Sequence, residues 1–382
     1  MKNAIANILH LHSSSGLYGA ERVILNLGKS LDDHGYHPII GSLEVDKSLL
    51  SSFARAAVES NLDTELIITK AKFSPVAIFK IVKLVREKKI KIIHSHYSKA
   101  TVLGFFASRI TGIPMIETNH LFPPMPLSDK KLQLYAKIGA FILRYADKTI
   151  AVSHKIKTSL EDCGVPSDRI SVIENGIDVE KCRSVRSKER VLARRELGLE
   201  DSSFMIGSVG RLTEQKGFEY LLEAAKAVLT KQNNVVFIIA GDGPLREQLN
   251  NYVHELKLDG NVRFLGFRKD IMRILAAMDI FVMPSLDEGL PIAMLEAMAV
   301  GLPVIVTPVG EIPRVIENKQ NGILIEPKNS EVLANKIIYL MENHNIRGNI
   351  VDKAWQTVKA KYSNEAMSES YALIYDRLLM ST

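Results

Sequence analysis

The sequence predicts an α/β protein built from two tandem units, each a doubly wound parallel sheet. Two observations carry this. Short β-branched runs alternate with helical periodicities along nearly all 382 residues, and the alternation restarts near residue 204 after a polar stretch. The length is also roughly two to three times the common domain size.

In the first half, strands are expected at Ala4–His10, Pro38–Leu43, Thr64–Ile68, Ile90–Ser95, Pro114–Thr118, Thr149–Val152 and Arg169–Ile173, with helices near 20–34, 75–89, 98–111, 128–146 and 153–163. In the second, strands are expected at Phe204–Val209, Val235–Ala240, Val262–Leu265, Ile280–Met283, Pro303–Thr307 and Gly322–Ile325. Helices should fall near 217–232, 243–257, 268–277, 290–300, 311–318 and 330–343, with a last one at 364–380 that no strand follows. The segment Asp178–Ser203 is rich in Arg, Lys, Glu and Ser and reads as a linker with a surface helix. Expected domains are 1–180, 181–363 and a terminal helix 364–382, with a cleft where the strand C-termini meet.

Hydrophobic residues at 46% and charged residues at 24% exclude a disordered chain, a collagen and a disulfide scaffold. The net charge of +6 is too mild for a nucleic-acid binder but suits an anionic ligand or surface. Two cysteines, Cys163 and Cys182, permit no disulfide framework or zinc spacing, so a reducing cytosol is expected. No apolar run is long enough to span a membrane, and the N-terminal run reads as a first buried strand rather than a signal peptide.

Open parallel sheets bind ligands beyond their strand C-termini. The loop Ser13–Glu21 is small, contains Gly16 and Gly19, and opens into a helix whose N–H groups favour a phosphate. It lacks the dinucleotide-binding glycine spacing. In Gly207–Gly217, Arg211 and Lys216 leave a strand together just before a helix, where they are either a diphosphate clamp or two solvated cations. The stretch Met283–Ala299 places Glu288 at a Glu-Gly-Leu-Pro turn and Glu296 inside an apolar helix. Glu296 needs a partner there, either a ligand or a Lys or backbone group. Eight residues separate the two carboxylates, ~12 Å if wholly helical, enough to bracket an extended ligand. His94 and His96 end a strand at a spacing that invites a metal, but no third ligand is apparent.

These motifs resemble family 4 glycosyltransferases, which are retaining nucleotide-sugar enzymes of the GT-B fold, two Rossmann-like domains. The matching pieces are Gly19-Ala20-Glu21-Arg22, Glu174-Asn175-Gly176-Ile177-Asp178, Gly210-Arg211 with Lys216-Gly217, Gly241-Asp242-Gly243-Pro244, Val262–Gly266, Glu288 to Glu296, Pro303-Val304-Ile305 and Asn321-Gly322. One departure is that Leu17 and Tyr18 separate Gly16 from Gly19, where the family often has adjacent glycines.

The resemblance implies an N-terminal acceptor-binding domain, a C-terminal donor-binding domain and a last helix returning to the first. Arg211 and Lys216 would bind the donor diphosphate, and Glu296 the ribose. Glu288, with the N–H groups of Gly289 and Leu290, would hold the sugar. Gly19 would let its loop approach the phosphates, and Phe267 and Arg268 would lie near the base. His120 would stand beside the donor sugar as a catalytic residue with Glu288. No Asp-x-Asp occurs, so no catalytic metal and no cofactor is expected.

The resemblance implies transfer of a hexosyl-type residue with retention to a sugar or lipid-linked acceptor, in cell-surface polysaccharide, lipopolysaccharide or glycolipid assembly. The rivals are a nucleotide-sugar epimerase of the same fold and an inactive sugar-nucleotide-binding homologue. Residues 1–180 carry +5 of the net charge, densest over Lys70–Lys99, followed by the apolar Phe122–Leu127 and a basic, apolar helix. Such a surface suits an anionic membrane, so the expected location is the cytoplasm and the inner face of its membrane. The alternative is an ordinary helix with a basic solvent face.

Overall fold

The computed structural model describes residues 6–13, 16, 19–46, 50–69, 74–120, 139, 141–200 and 202–380. The chain divides into two compact units at Gly176/Ile177 and again at Ser363/Asn364. Residues 177–180, expected in the first unit, go with the second.

In the first unit, β1 (Ala6–His12), β2 (Tyr36–Glu44), β3 (Asp63–Ile68), β4 (Ile90–His96), β5 (Met115–Asn119), β6 (Lys148–Ala151) and β7 (Ile170–Val172) form a parallel sheet. The order is β3-β2-β1-β4-β5-β6-β7. Its helices are α1 (Gly19–Leu31), α2 (Ser52–Glu59), α3 (Pro75–Glu87), α4 (Ser98–Thr111) and α5 (His154–Asp162). Ser51, Ser74 and Ser153 start α2, α3 and α5 by accepting the N–H three residues on. The helix α2 was not expected. The loop Phe122–Leu127 and most of the helix expected near 128–146 lie outside the described residues.

In the second unit, β8 (Phe204–Val209), β9 (Val235–Ala240), β10 (Val262–Gly266), β11 (Ile280–Met283), β12 (Val304–Val306) and β13 (Ile323–Leu324) run in the order β10-β9-β8-β11-β12-β13. All six are parallel. Its helices are α6 (Val179–Glu196), α7 (Phe218–Leu229), α8 (Arg246–Glu255), α9 (Ile271–Ala277), α10 (Ile292–Val300), α11 (Ile312–Val315), α12 (Ser330–Glu342) and α13 (His344–Lys361). The last helix, α14 (Asn364–Met380), belongs to the first unit.

The segment expected to be a linker with a surface helix does carry a helix, α6, but one packed on α9 and α10. Arg186, Arg190 and Arg194 form one row on it and donate to the carbonyls of Ala276, Ala277 and Met278 at the end of α9. Arg190 and Arg194 also pair with Asp279 at 2.6 and 3.3 Å. Helix C-termini leave carbonyls unsatisfied and attract cations. A row of arginines aimed at them reads in sequence as a solvent face.

In the first sheet, one face carries Leu9, Leu11, Ile39 and Ile93 under α3 and α4. The other carries Ile8, Ile92, Ile116 and Ile150 under α1 and α14, whose Met367, Tyr371, Ile374 and Tyr375 are buried there. Each large apolar side chain so buried contributes about 1.5–3 kcal/mol.

Candidate functional site

Each sheet reverses its winding once, between β1 and β4 and between β8 and β11. Such a reversal parts the loops at the strand C-termini and leaves room for a ligand there.

In the second unit, β8 leads into Gly210 and Arg211, and β11 leads into Pro284 and Ser285. Glu288 is buried, and its Oε1 accepts from Lys216 Nζ at 2.5 Å and from Ser285 Oγ at 2.6 Å. Thr307 Oγ1 donates to the Ser285 carbonyl at 2.5 Å, which steadies the turn. The Leu286 N–H donates to the Gln215 carbonyl, and Gln215 Nε2 to the Asp287 carbonyl, each at 2.7 Å. Two glycines make this stitching possible. Gly217 has φ +59, and a Cβ on it would lie 2.3 Å from the Pro284 carbonyl oxygen. Gly310 has φ +58, and a Cβ there would lie 1.9 Å from the Glu288 carbonyl oxygen.

Arg211 is exposed and makes no ion pair among the described residues. Gly289 is exposed and Leu290 half-buried, both just before α10, where N–H groups are left over. Among the described residues, nothing would obstruct a side chain on Gly289, so packing does not demand glycine there. Glu296 is half-buried midway along α10, and its charge, after burial itself, helps push the Cys182 thiol of α6 up to about 12. Glu288 precedes the helix rather than sitting in it, so the 12 Å helical spacing does not hold. Phe267 is 74% exposed, while Arg268 is committed to Asp270 through two bonds of 2.8 and 2.6 Å.

In the first unit, Gly19 is the first residue of α1 and would accept a side chain without obstruction among the described residues. Ser14, Ser15, Leu17 and Tyr18 of its loop lie outside the described residues. Buried Glu21, in the first turn of α1, accepts from Tyr97 Oη at 2.8 Å. Tyr97 has φ +73, strain of about 1–3 kcal/mol for a non-glycine residue, at the junction of β4 and α4.

His120 follows β5 as part of a histidine cluster. His10 pairs in register with His94, and His12 with His96. Alternation puts all four on one sheet face. The contacts are His10 Nδ1 to His96 Nε2 at 3.2 Å and His96 Nδ1 to His120 Nε2 at 3.3 Å. His94 bonds Tyr375 Oη and Thr118 Oγ1, both at 2.7 Å. His10, His94 and His96 bring nitrogens within 4.8 Å of one another, so the third ligand absent from the sequence reading exists in space. Both His94 nitrogens are nevertheless already bonded, and His10 and His96 bond each other. Burial pushes His10 down to about 3 and His120 to about 4, and lowers His94 and His96 well below 6.5, so the cluster is neutral near pH 7.

Sequence comparison agrees with this layout. The model of Glycosyltransferase Family 4 matches residues 18–181, and that of the glycosyl transferases group 1 matches residues 190–357. A UDP-Gal:alpha-D-GlcNAc-diphosphoundecaprenol alpha-1,3-galactosyltransferase of Escherichia coli is 35% identical over 275 residues, covering 70% of each chain. The chain is a family 4-type glycosyltransferase.

The glycosyltransferase is also similar to the LpsE lipopolysaccharide core biosynthesis glycosyltransferase of Rhizobium meliloti, 29% identical over 238 residues, or 61% of this chain and 69% of that one. Among solved structures it resembles Anabaena HepE in complex with UDP, at 25% identity and a TM-score of 0.79, over 97% of this chain and all of that one. The two parallel-sheet units are those of a GT-B glycosyltransferase. Among the described residues, no helix is long and apolar enough to cross a membrane.

Sequence reasoning missed Ser285 and Thr307, although Ser285 lies in the same motif three residues before Glu288. It also missed His10 and His12, whose His-x-His spacing repeats that of His94 and His96. Tyr371 and Tyr375 carried no local signal.

Proposed function

We propose that the enzyme transfers a hexosyl residue from a UDP-sugar to an acceptor hydroxyl with retention of configuration and without a metal. The observation that carries this is the buried Glu288 held by Lys216 and Ser285, with exposed Arg211 on the loop after β8, at the point where the second sheet reverses. Lys216 spends one N–H on Glu288 and keeps two for a diphosphate. Arg211 adds a second cation, and Gly289 and Leu290 add N–H groups. Glu296 is assigned to the ribose, Phe267 to the base, and His120 with Glu288 to the sugar. Arg268 is the weaker base contact, since Asp270 occupies its guanidinium. Gly19 is assigned to the phosphates.

As the bond from C1 to the diphosphate oxygen breaks, charge grows on that oxygen, and Arg211 and Lys216 stabilise it. The acceptor oxygen attacks C1 from the same face, and its proton passes to the departing phosphate. The E. coli relative's UDP-Gal donor and the UDP-bound HepE support the donor class.

A lipid-linked acceptor, as in the E. coli relative, would place the reaction in polysaccharide, lipopolysaccharide or glycolipid assembly at the inner face of the cytoplasmic membrane. Val76 and Phe79 on α3 and Phe106 and Ile110 on α4 are exposed, beside Lys80, Lys83 and Arg109. An apolar, basic surface of this kind binds anionic lipid. Sedimentation with phosphatidylglycerol vesicles should carry the enzyme down, and equal sedimentation with phosphatidylcholine would remove the electrostatic part.

The decisive experiment is thermal stability against UDP-, GDP-, ADP- and CMP-sugars in EDTA. A ligand at 100 times its Kd adds about 2.7 kcal/mol. A shift with a UDP-sugar supports the reading, whereas a shift that requires Mg²⁺ refutes the metal-free part.

A further inference from the structure

The cluster behind His120 has two open ends. His10, His96 and His120 are joined by two ring-to-ring hydrogen bonds of 3.2 and 3.3 Å. Among the described residues, His10 Nε2 and His120 Nδ1 are buried and have no partner. Three neutral imidazoles carry three N–H protons, and the two bonds use two of them. The third must stand at one end of the chain, so it has only two uniform arrangements.

Two features choose between them. His10 is fully buried, and an orphaned N–H is rarer in a protein interior than an under-satisfied acceptor. His120 Nδ1 is buried as well, but the His120 residue is less deeply buried than His10 and feels the negative charge of Glu21. The proton therefore belongs at the His120 end. We propose that His10 and His96 are positioning residues that fix His120 as the Nδ1–H tautomer, making it a hydrogen-bond donor to an oxygen of the bound sugar. His10 Nδ1–H donates to His96 Nε2, and His96 Nδ1–H donates to His120 Nε2. His94 does not join the chain, because Tyr375 and Thr118 hold both its nitrogens. Its partner Thr118 is bonded in turn to Tyr371 Oη at 3.0 Å, so α14 anchors the ring against which His10 and His96 lean. His12 bears on His120 electrostatically and is itself near Glu21 at 3.6 Å.

This inference rests on the assignment of His120 to the sugar. The test is nitrogen NMR of the full chain labelled with ¹⁵N-histidine, together with donor kinetics. The ten histidines are assigned by single replacement. In the unsubstituted enzyme at pH 7, His120 should show a protonated Nδ1 and a bare Nε2. His96→Asn, whose amide nitrogen can replace Nδ1–H, should keep that pattern. His96→Leu should lose it and lower kcat about tenfold with little change in donor KM, the loss of one hydrogen bond made by His120 in the transition state. A protonated Nε2 on His120 in the unsubstituted enzyme overturns the proposal, and so does an unchanged His120 pattern in His96→Leu. If the NMR pattern is as expected but His120→Gln transfers sugar at the full rate, the tautomer assignment stands and the role given to His120 falls.

Discussion

Glu288 shows how much chemistry one buried carboxylate concentrates. Its Oε1 takes both the ammonium of Lys216 and the hydroxyl of Ser285. Glu288→Ala should lower kcat at least a hundredfold, while UDP affinity measured by calorimetry stays within a few-fold, because Arg211 and Lys216, the cations proposed for the diphosphate, remain. Arg211→Ala should do the opposite, weakening UDP binding about tenfold or more. Full transfer activity in the first variant, or unchanged affinity in the second, would remove that residue from the site. Glu117 is a different case. Burial pushes its carboxyl up to about 8, against the hydrogen bond from Thr101, so it is largely protonated in the fold at pH 7. The unfolded chain ionises near 4.5, so this group costs stability as pH rises from there to about 8. Glu117→Gln keeps the shape and removes the cost. Urea unfolding should show a gain of about 1–3 kcal/mol at pH 8 and little change at pH 4.5. An equal gain at both pH values would mean that the carboxyl does not titrate as described.

At the scale of the element, the two loops of the second unit are rigid because backbone meets backbone. The turn ending at Gly217 lies against Pro284, and only a residue without Cβ fits at φ +59. Gly217→Ala should destabilise the unit by about 1–3 kcal/mol and displace Lys216 from Glu288, read as a lower urea midpoint together with lost activity. A stable, inactive variant would mean that the turn serves only the ligand. Helix α6 teaches a second lesson. Its charges look like those of a linker, yet its arginines satisfy the end of α9, and the pattern cannot be told from a solvated face until the partner is known. Helix α13 was missed for a related reason. Its buried residues Ile350, Ala354 and Val358 make a single stripe too narrow to announce itself beside so many polar neighbours.

At the scale of the whole molecule, pH ties the cluster of histidines to stability. His10, His94, His96 and His120 stay neutral in the fold, while in the unfolded chain they take up protons near 6.5. Their contribution is complete above pH 6.5 and is lost as pH falls below it, down to about 3 for His10 and about 4 for His120. Each costs ~1.4 kcal/mol per pH unit over that window. Glu117 acts in the other direction above pH 4.5, but one carboxyl is outweighed by four imidazoles. The melting temperature should therefore peak at about pH 6.5, fall steeply on the acid side and gently on the alkaline side. A flat profile between pH 4 and 6.5 would show that the histidines are solvated. His10→Gln should shallow the acid limb and leave the alkaline limb unchanged.

The period-two and 3.6 patterns by themselves determined both sheets, since every expected strand, from Ala4–His10 to Gly322–Ile325, has a counterpart in the fold. A strand buried on both faces writes its own apolar run, whatever it packs against. The Glu-Gly-Leu-Pro turn and the Arg211–Lys216 stretch were legible too, because a loop between two buried strands keeps a local signature. Only the tertiary structure decided which side chains meet. Register in a parallel sheet brought His10 beside His94 and His12 beside His96 across more than 80 residues of chain, and α14 carried Tyr371 and Tyr375 back from the other end of the sequence to hold the cluster. Contacts of that kind depend on how distant segments align, and distance along the chain leaves no periodicity to read.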